Sequence, residues 1–199
     1  MSLPKLYYTT TSCGMANYIA ATIGGIQFDS ETVDLGTGRT ASGADFESIN
    51  WAGAVPALVL PGGAVLNENV ATLTWISDNA VTKWGPAPGT PAHFEMINNI
   101  GYVNSSIHRN FGPLFYAAPE AKPALVAKLL EQIEWSTKFV IKGKKFLGAQ
   151  FTAADIYLYI VLSWAGFMGI TLPADAQTYF NGIQAMEGVG STYTAINKK

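Results

Sequence analysis

Cys13 is the only cysteine of this 199-residue chain and the first residue whose type and position could support chemistry. It follows a β-favouring run at residues 6–8 and precedes apolar residues, from Met15 to Ile23, that recur at every fourth position. Unpaired N–H groups and the helix dipole at the start of a helix favour a thiolate, and an exposed thiolate is a nucleophile. The alternative is a small buried apolar side chain, which is the usual state of a lone cysteine.

A single cysteine also limits the chemistry. It excludes a disulfide within the chain and a structural zinc site built from several thiolates, so we expect no metal. A dithiol redox cycle within one chain is excluded for the same reason. Any thiol chemistry must take its second sulfur from a small molecule or from another protein.

Two further residue pairs could bind a ligand. Val55-Pro56 opens a predicted strand, and a cis bond there, although intrinsically the minor state, would turn the backbone of Val55 outward to pair with an extended peptide. Glu68-Asn69 begins a predicted helix. An acid beside N-terminal N–H groups could hold both an ammonium and a carboxylate. The alternative for this pair is a plain helix cap.

The elements that must position these residues alternate over the first eighty residues. Apolar patterns predict strands at 5–9, 28–35, 57–60 and 64–66, and helices at 15–23, 45–49 and 67–78. The polar, Gly-rich stretch 36–43 is interpreted as a loop. The resulting order, β-α-β-α-β-β-α, predicts a small mixed sheet with helices on its faces.

The second half of the chain is predicted to be helical. Five Gly and Pro residues within 83–91 exclude a regular element and indicate a linker. Beyond it, two apolar stripes have helical spacing: Phe94, Ile97, Gly101, Asn104 and Ile107, then Leu125, Leu129, Ile133 and Val140. Thr152 and Asp155 have the form of a capping box, and the apolar run 156–172 after them predicts a buried central helix rather than a membrane span.

The composition bounds the possible partners. Hydrophobic residues make up 49% of the chain and charged residues 13%, against ~25% in average soluble proteins, and the formal net charge is −2. This composition excludes intrinsic disorder. No basic cluster is longer than Lys144-Lys145, and the start carries no secretory pattern. We therefore expect a soluble cytoplasmic protein without nucleic-acid or membrane partners.

Short motifs occur in a fixed order along nearly the whole chain. Those of the first half are Lys5-Leu-Tyr-Tyr8, Ser12-Cys13, Val33-Asp-Leu35, Ser42-Gly43-x-Asp45-Phe46-x-x-Ile49-Asn50, Gly53-x-Val55-Pro56-x-Leu58, Val65-Leu66-x-Glu68-x-Val70-Ala71 and Ile76-x-Asp78. Those of the second half are His108, Gly112-Pro113-Leu114-Phe115, Phe151-Thr152-x-Ala154-Asp155-x-Tyr157-Leu158 and Ser163-Trp164-Ala165. Each motif is weak alone, but the ordered set resembles the cytosolic glutathione transferases, most closely their bacterial beta class.

The resemblance implies a fold. A thioredoxin-like, glutathione-binding α/β domain would occupy residues 1–82, followed by the linker at 83–91. An all-α helical-bundle domain carrying the second-substrate pocket would occupy 92–199. A homodimer is implied as well, with the α/β half of one chain against the helical half of the other.

The resemblance also implies which residues hold glutathione. Val55, with Pro56 cis, would pair its backbone with the cysteinyl part, and Glu68 would hold the γ-glutamyl end with Asn69 beside it. Arg39 stands next to the position of a lysine that commonly binds the glycine carboxylate. Two segments depart from the family pattern: 50–54 lacks a usual Pro-Lys pair, and 186–190 replaces a common Arg-Pro pair.

The implied catalytic residues surround the glutathione sulfur. Cys13 would lie beside that sulfur and can form a mixed disulfide with it, with Ser12 next to it, and His108 would face it from the helical domain. Without the resemblance, His108 is interpreted as a solvated helix residue. An apolar wall for the second substrate is expected from Trp164, Phe111, Phe115 and Tyr116.

Three functions follow as hypotheses. The first is conjugation of the glutathione thiolate to small hydrophobic electrophiles, as in a detoxifying transferase. The second is glutathione-dependent thiol–disulfide exchange with Cys13 as the nucleophile. The third is a non-catalytic binding module that retains the fold.

Overall fold

Five short strands form one mixed sheet in the first half of the chain in the computed structural model, which describes residues 2–197. The strands are β1 (Lys5–Tyr8), β2 (Asp29–Asp34), β3 (Arg39–Thr40), β4 (Ala57–Val59) and β5 (Val65–Leu66). Their spatial order is β3-β2-β1-β4-β5, with β1 and β2 parallel and the remaining pairs antiparallel. The predicted loop at 36–43 is wrong in one respect, because it contains β3. A strand of two residues is too short to show an alternating pattern.

Two helices and a short turn of 3₁₀ helix complete this half. Helix α1 (Gly14–Ile23) joins β1 to β2, α2 (Asn69–Asp78) follows β5, and the predicted helix at 45–49 is a 3₁₀ turn at Phe46–Ser48. Side chains alternate across β1, so that Leu6 faces the large core with α1 and α2. Tyr7 faces a second, smaller cluster with Val33, Phe46 and Ala57 on the opposite side of the sheet.

Six helices make up the second half as far as residue 197: α3 (Pro91–Tyr102), α4 (Arg109–Tyr116), α5 (Lys122–Ser136), α6 (Ala153–Phe167), α7 (Ala174–Gln184) and α8 (Val189–Asn197). Wider π-helical turns at Val103–His108 and Thr137–Ile141 follow α3 and α5. The predicted fold class, an α/β domain followed by a helical domain, is confirmed. The exact boundaries at 82 and 92 stay a prediction.

The predicted buried stripe on α3 is displaced by part of a turn. Phe94 is 61% exposed, whereas Met96 and Ile100 are almost fully buried. Apolar residues on both faces of this helix fit helical spacing, so periodicity alone does not select the buried one. The π-helical turn after Tyr102 then changes the residue spacing, which a regular 3.6-residue pattern does not anticipate.

Helix α6 is the centre of the helical half, as predicted. Twelve of its fifteen residues are buried, and it contacts α1, α2, α3 and α7. Its start has the predicted capping box, in which Thr152 and Asp155 hydrogen-bond each other's backbone N–H groups. Among residues 2–197, every helix is too short or too polar to cross a bilayer.

Candidate active site

Cys13 lies at the turn between β1 and α1, but its thiol is buried. The residue is 7% exposed, and its Sγ–H donates to the backbone carbonyl of Val55 at 3.5 Å. Burial raises the pKa of the Cys13 thiol to about 11, and this outweighs the nearby backbone N–H groups and the Asn69 side chain, which lower it. Of the two states that the sequence left open for Cys13, the structure therefore has the second: the thiol is buried, and it is protonated at neutral pH.

The Ser12 hydroxyl is engaged within the same turn. Its Oγ–H donates to the carbonyl of Thr9 at 3.1 Å, and its oxygen accepts the N–H of Gly14 at 3.1 Å. A Cβ on Gly14 would lie 2.9 Å from the Cβ of Tyr8, so only glycine lets the helix start this close to β1. Ser12 and Gly14 thus fix the turn that carries Cys13.

Val55 and Pro56 lie across from Cys13. The Val55–Pro56 peptide bond is cis, as the family resemblance implies. Pro56 is buried, and the half-buried Val55 packs against the cluster that contains Phe46. The structure therefore places the backbone of Val55 directly beside the thiol of Cys13.

Glu68 and Asn69 occupy different environments at the start of α2. Glu68 is exposed at the N-cap position, and its side chain caps no N–H group. Asn69 is buried, and its Oδ1 accepts the Nδ2–H of Asn17 at 2.7 Å. Neither side chain is a plain helix cap, which leaves the carboxylate of Glu68 free at the surface.

His108 belongs to a chain of hydrogen bonds with a residue that sequence reasoning missed as a site residue. Its Nδ1 lies 2.6 Å from the hydroxyl of Tyr157, and that hydroxyl donates to Oδ1 of Asn104 at 2.8 Å. Burial lowers the pKa of His108 to about 4 and raises the pKa of Tyr157. His108 is thus not the solvated residue that the sequence alone suggested. The hydroxyl of a buried tyrosine usually has a hydrogen-bond partner, which was the available signal for Tyr157, but Tyr159 on the same helix shares it.

The aromatic residues predicted for the second-substrate pocket separate into two groups. Trp164 and Phe111 are buried, with ring centroids 5.6 Å apart, and Trp164 also lies 4.9 Å from the ring of His108. Phe115 and Tyr116 are 53% and 93% exposed. A cavity of about 390 Å³ is lined by Phe115 but not by the other three. Phe111 is therefore part of the core, and Tyr116 points to the surface.

Trp164 also joins the two halves of the molecule. Its Nε1–H donates to the carbonyl of Thr11 at 2.9 Å. Thr11 lies two residues before Cys13, so a side chain of α6 holds the turn that positions the thiol.

Arg39 is exposed on β3, at the sheet edge opposite β5. Its backbone bridges to Asp45, next to Phe46 in the cluster that supports Val55. Within the described part of the chain, no hydrogen bond or ion pair joins its side chain to Cys13, Val55 or Glu68. Across residues 2–197, no group of three or more His, Cys, Asp or Glu side chains could hold a metal ion.

Proteins of similar sequence and structure indicate the family of this chain. No family model matches the chain. The glutathione S-transferase GstA of Escherichia coli O157:H7 is 32% identical over 164 residues, covering 81% of this chain and 82% of that protein. A sphingomonad glutathione S-transferase solved in complex with glutathione has a TM-score of 0.89 and 31% identity, covering 98% of this chain and 100% of the other. The beta-class enzyme of Sphingomonas chungbukensis has a TM-score of 0.88 and 32% identity, covering 96% and 98%.

Proposed function

Because the chain belongs to the cytosolic glutathione transferases and is closest to their bacterial type, we propose that it conjugates the glutathione thiolate to small hydrophobic electrophiles. The observation that carries this proposal is the 3.5 Å contact between the Cys13 thiol and the carbonyl of Val55. It brings the start of α1 to a backbone edge that can pair with an extended peptide. A peptide bound there would hold its sulfur next to Cys13.

The charged ends of glutathione have candidate partners around this edge. The exposed carboxylate of Glu68 suits the ammonium of the γ-glutamyl part, and the N-terminal N–H groups of α2 beside it suit the neighbouring carboxylate. Arg39 is proposed for the glycine carboxylate. The solved complex of the sphingomonad relative with glutathione supports glutathione as the co-substrate.

The electrophile would lie on the helical side of the sulfur. Phe115 lines the cavity of about 390 Å³ between α4, α5 and the end of α6, and Trp164 lies between that cavity and His108. Apolar side chains and Lys122 line this cavity, and its apolar part suits a small hydrophobic substrate. A detoxifying role in the cytoplasm would follow from such a substrate range.

Thiol–disulfide exchange through Cys13 is the second candidate, favoured by the position of the thiol beside Val55. In that reaction the Cys13 thiolate attacks the disulfide of a glutathionylated substrate, and the substrate leaves as a thiolate. Cys13 then carries a mixed disulfide with glutathione, and a second glutathione attacks it, so that the Cys13 thiol is freed and glutathione disulfide forms. The raised pKa of Cys13 opposes this reaction, because it leaves little thiolate at neutral pH.

Cys13→Ala separates the two reactions. With a chlorodinitrobenzene as the electrophile, we expect kcat/KM to change by less than about threefold, because the glutathione thiolate is the nucleophile. With a glutathione mixed disulfide as the substrate, any exchange activity should disappear. Loss of conjugation in the variant would contradict the proposal.

The third hypothesis, a non-catalytic module, has its own measurement. A ligand that binds the folded chain raises its melting temperature by mass action, so millimolar glutathione should stabilise the protein. If neither a thermal shift nor turnover is found, the protein only retains the fold.

We also propose that the chain forms a homodimer. Exposed aromatic side chains on α3, α5 and the π-helical turn after α5 supply an apolar surface, with Phe94, Trp135 and Phe139 each about half exposed. Sedimentation should give twice the 21.3 kDa mass of one chain. A single-chain mass would refute this part of the proposal.

A further inference from the structure

Two hydrogen bonds determine where the proton of His108 lies. The Oδ1 atom of Asn104 only accepts, so the single proton of the Tyr157 hydroxyl points at Asn104, 2.8 Å away. The Tyr157 oxygen can then only accept from His108, whose Nδ1 lies 2.6 Å away. Nδ1 of His108 therefore carries a proton.

The other ring nitrogen of His108 remains open. Among residues 2–197, no hydrogen-bond partner contacts Nε2 of His108, while Nδ1 is held by Tyr157. Burial lowers the pKa of His108 to about 4, so the ring is neutral at pH 7. With its proton on Nδ1, the neutral ring presents a bare acceptor at Nε2.

We propose that Tyr157 and Asn104 are positioning residues that hold His108 as the Nδ1–H tautomer, so that Nε2 can take the proton of a bound glutathione thiol. This inference rests on the proposed function. In the step, the S–H bond of glutathione breaks and the Nε2–H bond forms. The products are a thiolate and an imidazolium whose two N–H groups face the sulfur and Tyr157.

The groups around His108 determine when the ring can accept a proton. An isolated imidazolium is disfavoured by burial, whereas an imidazolium–thiolate pair has no net charge. The ionisable groups nearest this cluster are Tyr157 itself, Cys13 and Glu68, because the last two act electrostatically on Tyr157. Arg109 follows His108 and is exposed, and the remaining ring neighbour is the uncharged Trp164. His108 should therefore gain a proton when the thiol is bound and not before.

The tautomer can be observed directly by ¹⁵N NMR of the imidazole rings. The chain has two histidines, His93 and His108, so a His93→Gln variant assigns the signals. In the ligand-free protein at pH 7 we expect a neutral ring with the proton on Nδ1. Added glutathione should shift His108 toward the imidazolium. A ligand-free ring with its proton on Nε2 would overturn the inference.

Tyr157→Phe tests the positioning role, and Tyr159→Phe is its matched control. Both tyrosines lie on α6 with no measurable exposure, but the Tyr159 hydroxyl has no hydrogen-bond partner among residues 2–197. In Tyr157→Phe the ring proton of His108 should shift from Nδ1 toward Nε2. The variant should lower kcat about tenfold, with little change in the KM for glutathione. Tyr159→Phe should leave the tautomer and kcat unchanged. If both variants change the His108 tautomer and kcat equally, Tyr157 has only a structural role.

Asn104→Leu keeps Tyr157 in place and provides the second variant. Without the acceptor at Asn104, the Tyr157 hydroxyl is free to donate to Nδ1 of His108, which moves the ring proton to Nε2. In the variant we therefore expect the ¹⁵N signals of His108 to show the proton on Nε2, whereas in the wild type they show it on Nδ1. An unchanged spectrum would contradict the inference. The NMR result for the ligand-free protein does not depend on turnover, so a protein that fails to conjugate glutathione can still pass or fail this test.

Discussion

Two polar clusters begin from residues only two positions apart on α6, and they differ in how completely their atoms are paired. Asp155 accepts hydrogen bonds from the N–H groups of Leu147 and Thr152, both at 2.8 Å, and from the Tyr179 hydroxyl at 2.6 Å. Its second contact with Thr152, through Oγ1, is 3.2 Å long. Every oxygen of this buried carboxylate thus has a donor.

The Tyr157 cluster is only partly paired. Within residues 2–197, Nε2 of His108 has no protein partner. The thiol of Cys13 makes one long contact, to the carbonyl of Val55. Buried polar groups are nearly always paired in proteins, as all those of the Asp155 cluster are. The fully paired Asp155 cluster stabilises the fold, whereas the open Nε2 of His108 is the atom that the proposed proton transfer uses.

The largest expected effect comes from Asp155→Ala. The substitution leaves two buried N–H groups and a tyrosine hydroxyl without an acceptor and removes the capping box, so we expect a loss of about 4 kcal/mol in the free energy of unfolding. Urea denaturation followed by circular dichroism measures it. The kcat of the remaining folded protein should not change.

Asp175→Ala is the control for this substitution. Asp175 is also an acid in the first turn of a helix, α7, but it is exposed. Its loss should cost less than about 0.5 kcal/mol. If the two variants are equally stable, the hydrogen bonds to Asp155 do not support the fold as described.

An intermediate effect is expected for pH. The folded pKa of His108, about 4, lies below its ordinary value of 6.5, so the unfolded chain binds more protons between these values. This contribution to stability is present above pH 6.5 and is lost as pH falls toward 4, by about 3 kcal/mol. His108→Asn should remove it, since an amide nitrogen can still donate to Tyr157 but does not titrate.

Urea denaturation of the wild type and of His108→Asn, each at pH 6.5 and at pH 4, measures how much stability the titration of His108 contributes. The titration of Asp155 is common to both and cancels. Parallel loss of stability in the two proteins would mean that His108 is not held neutral by burial.

The smallest effect should come from Trp164→Phe. It removes the Nε1–H bond to the Thr11 carbonyl, worth about 1 kcal/mol, and loosens the turn before Cys13, so the KM for glutathione should rise. Trp84→Phe is the matched control, because it removes the same ring atoms but its Nε1 has no hydrogen-bond partner among residues 2–197. Identical stabilities and KM values would show that the contact with Thr11 does not position the site.

Local patterns were sufficient for most of the fold. The capping box at Thr152 and the all-apolar run after it predicted a buried α6 because both signals lie within a few residues of each other. The stripe that began at Phe94 is only partly buried: Ile97 and Ile107 contact the core, but Phe94 is exposed, because two overlapping faces of α3 are apolar. The strand β3 (Arg39–Thr40) was missed because two residues are too few to show an alternating apolar pattern.

The site was harder to predict, because its contacts join distant parts of the chain. Cys13 and Val55 are 42 positions apart, and His108 and Tyr157 are 49 apart. No spacing rule connects such residues, so the burial that raises the pKa of Cys13 was not foreseeable from the helix start alone. Asn69 was expected to contact a ligand, and its buried pairing with Asn17 likewise depends on tertiary packing.

The bond between Trp164 and Thr11 spans 153 positions, and this has a consequence for biosynthesis. The ribosome synthesises the strands of the sheet, Cys13 and Val55-Pro56 well before it synthesises α6. Contacts of such long range form late, because the intervening segment must first be ordered. A nascent chain of 150 residues would hold the entire α/β half and still lack the indole that fixes its first loop.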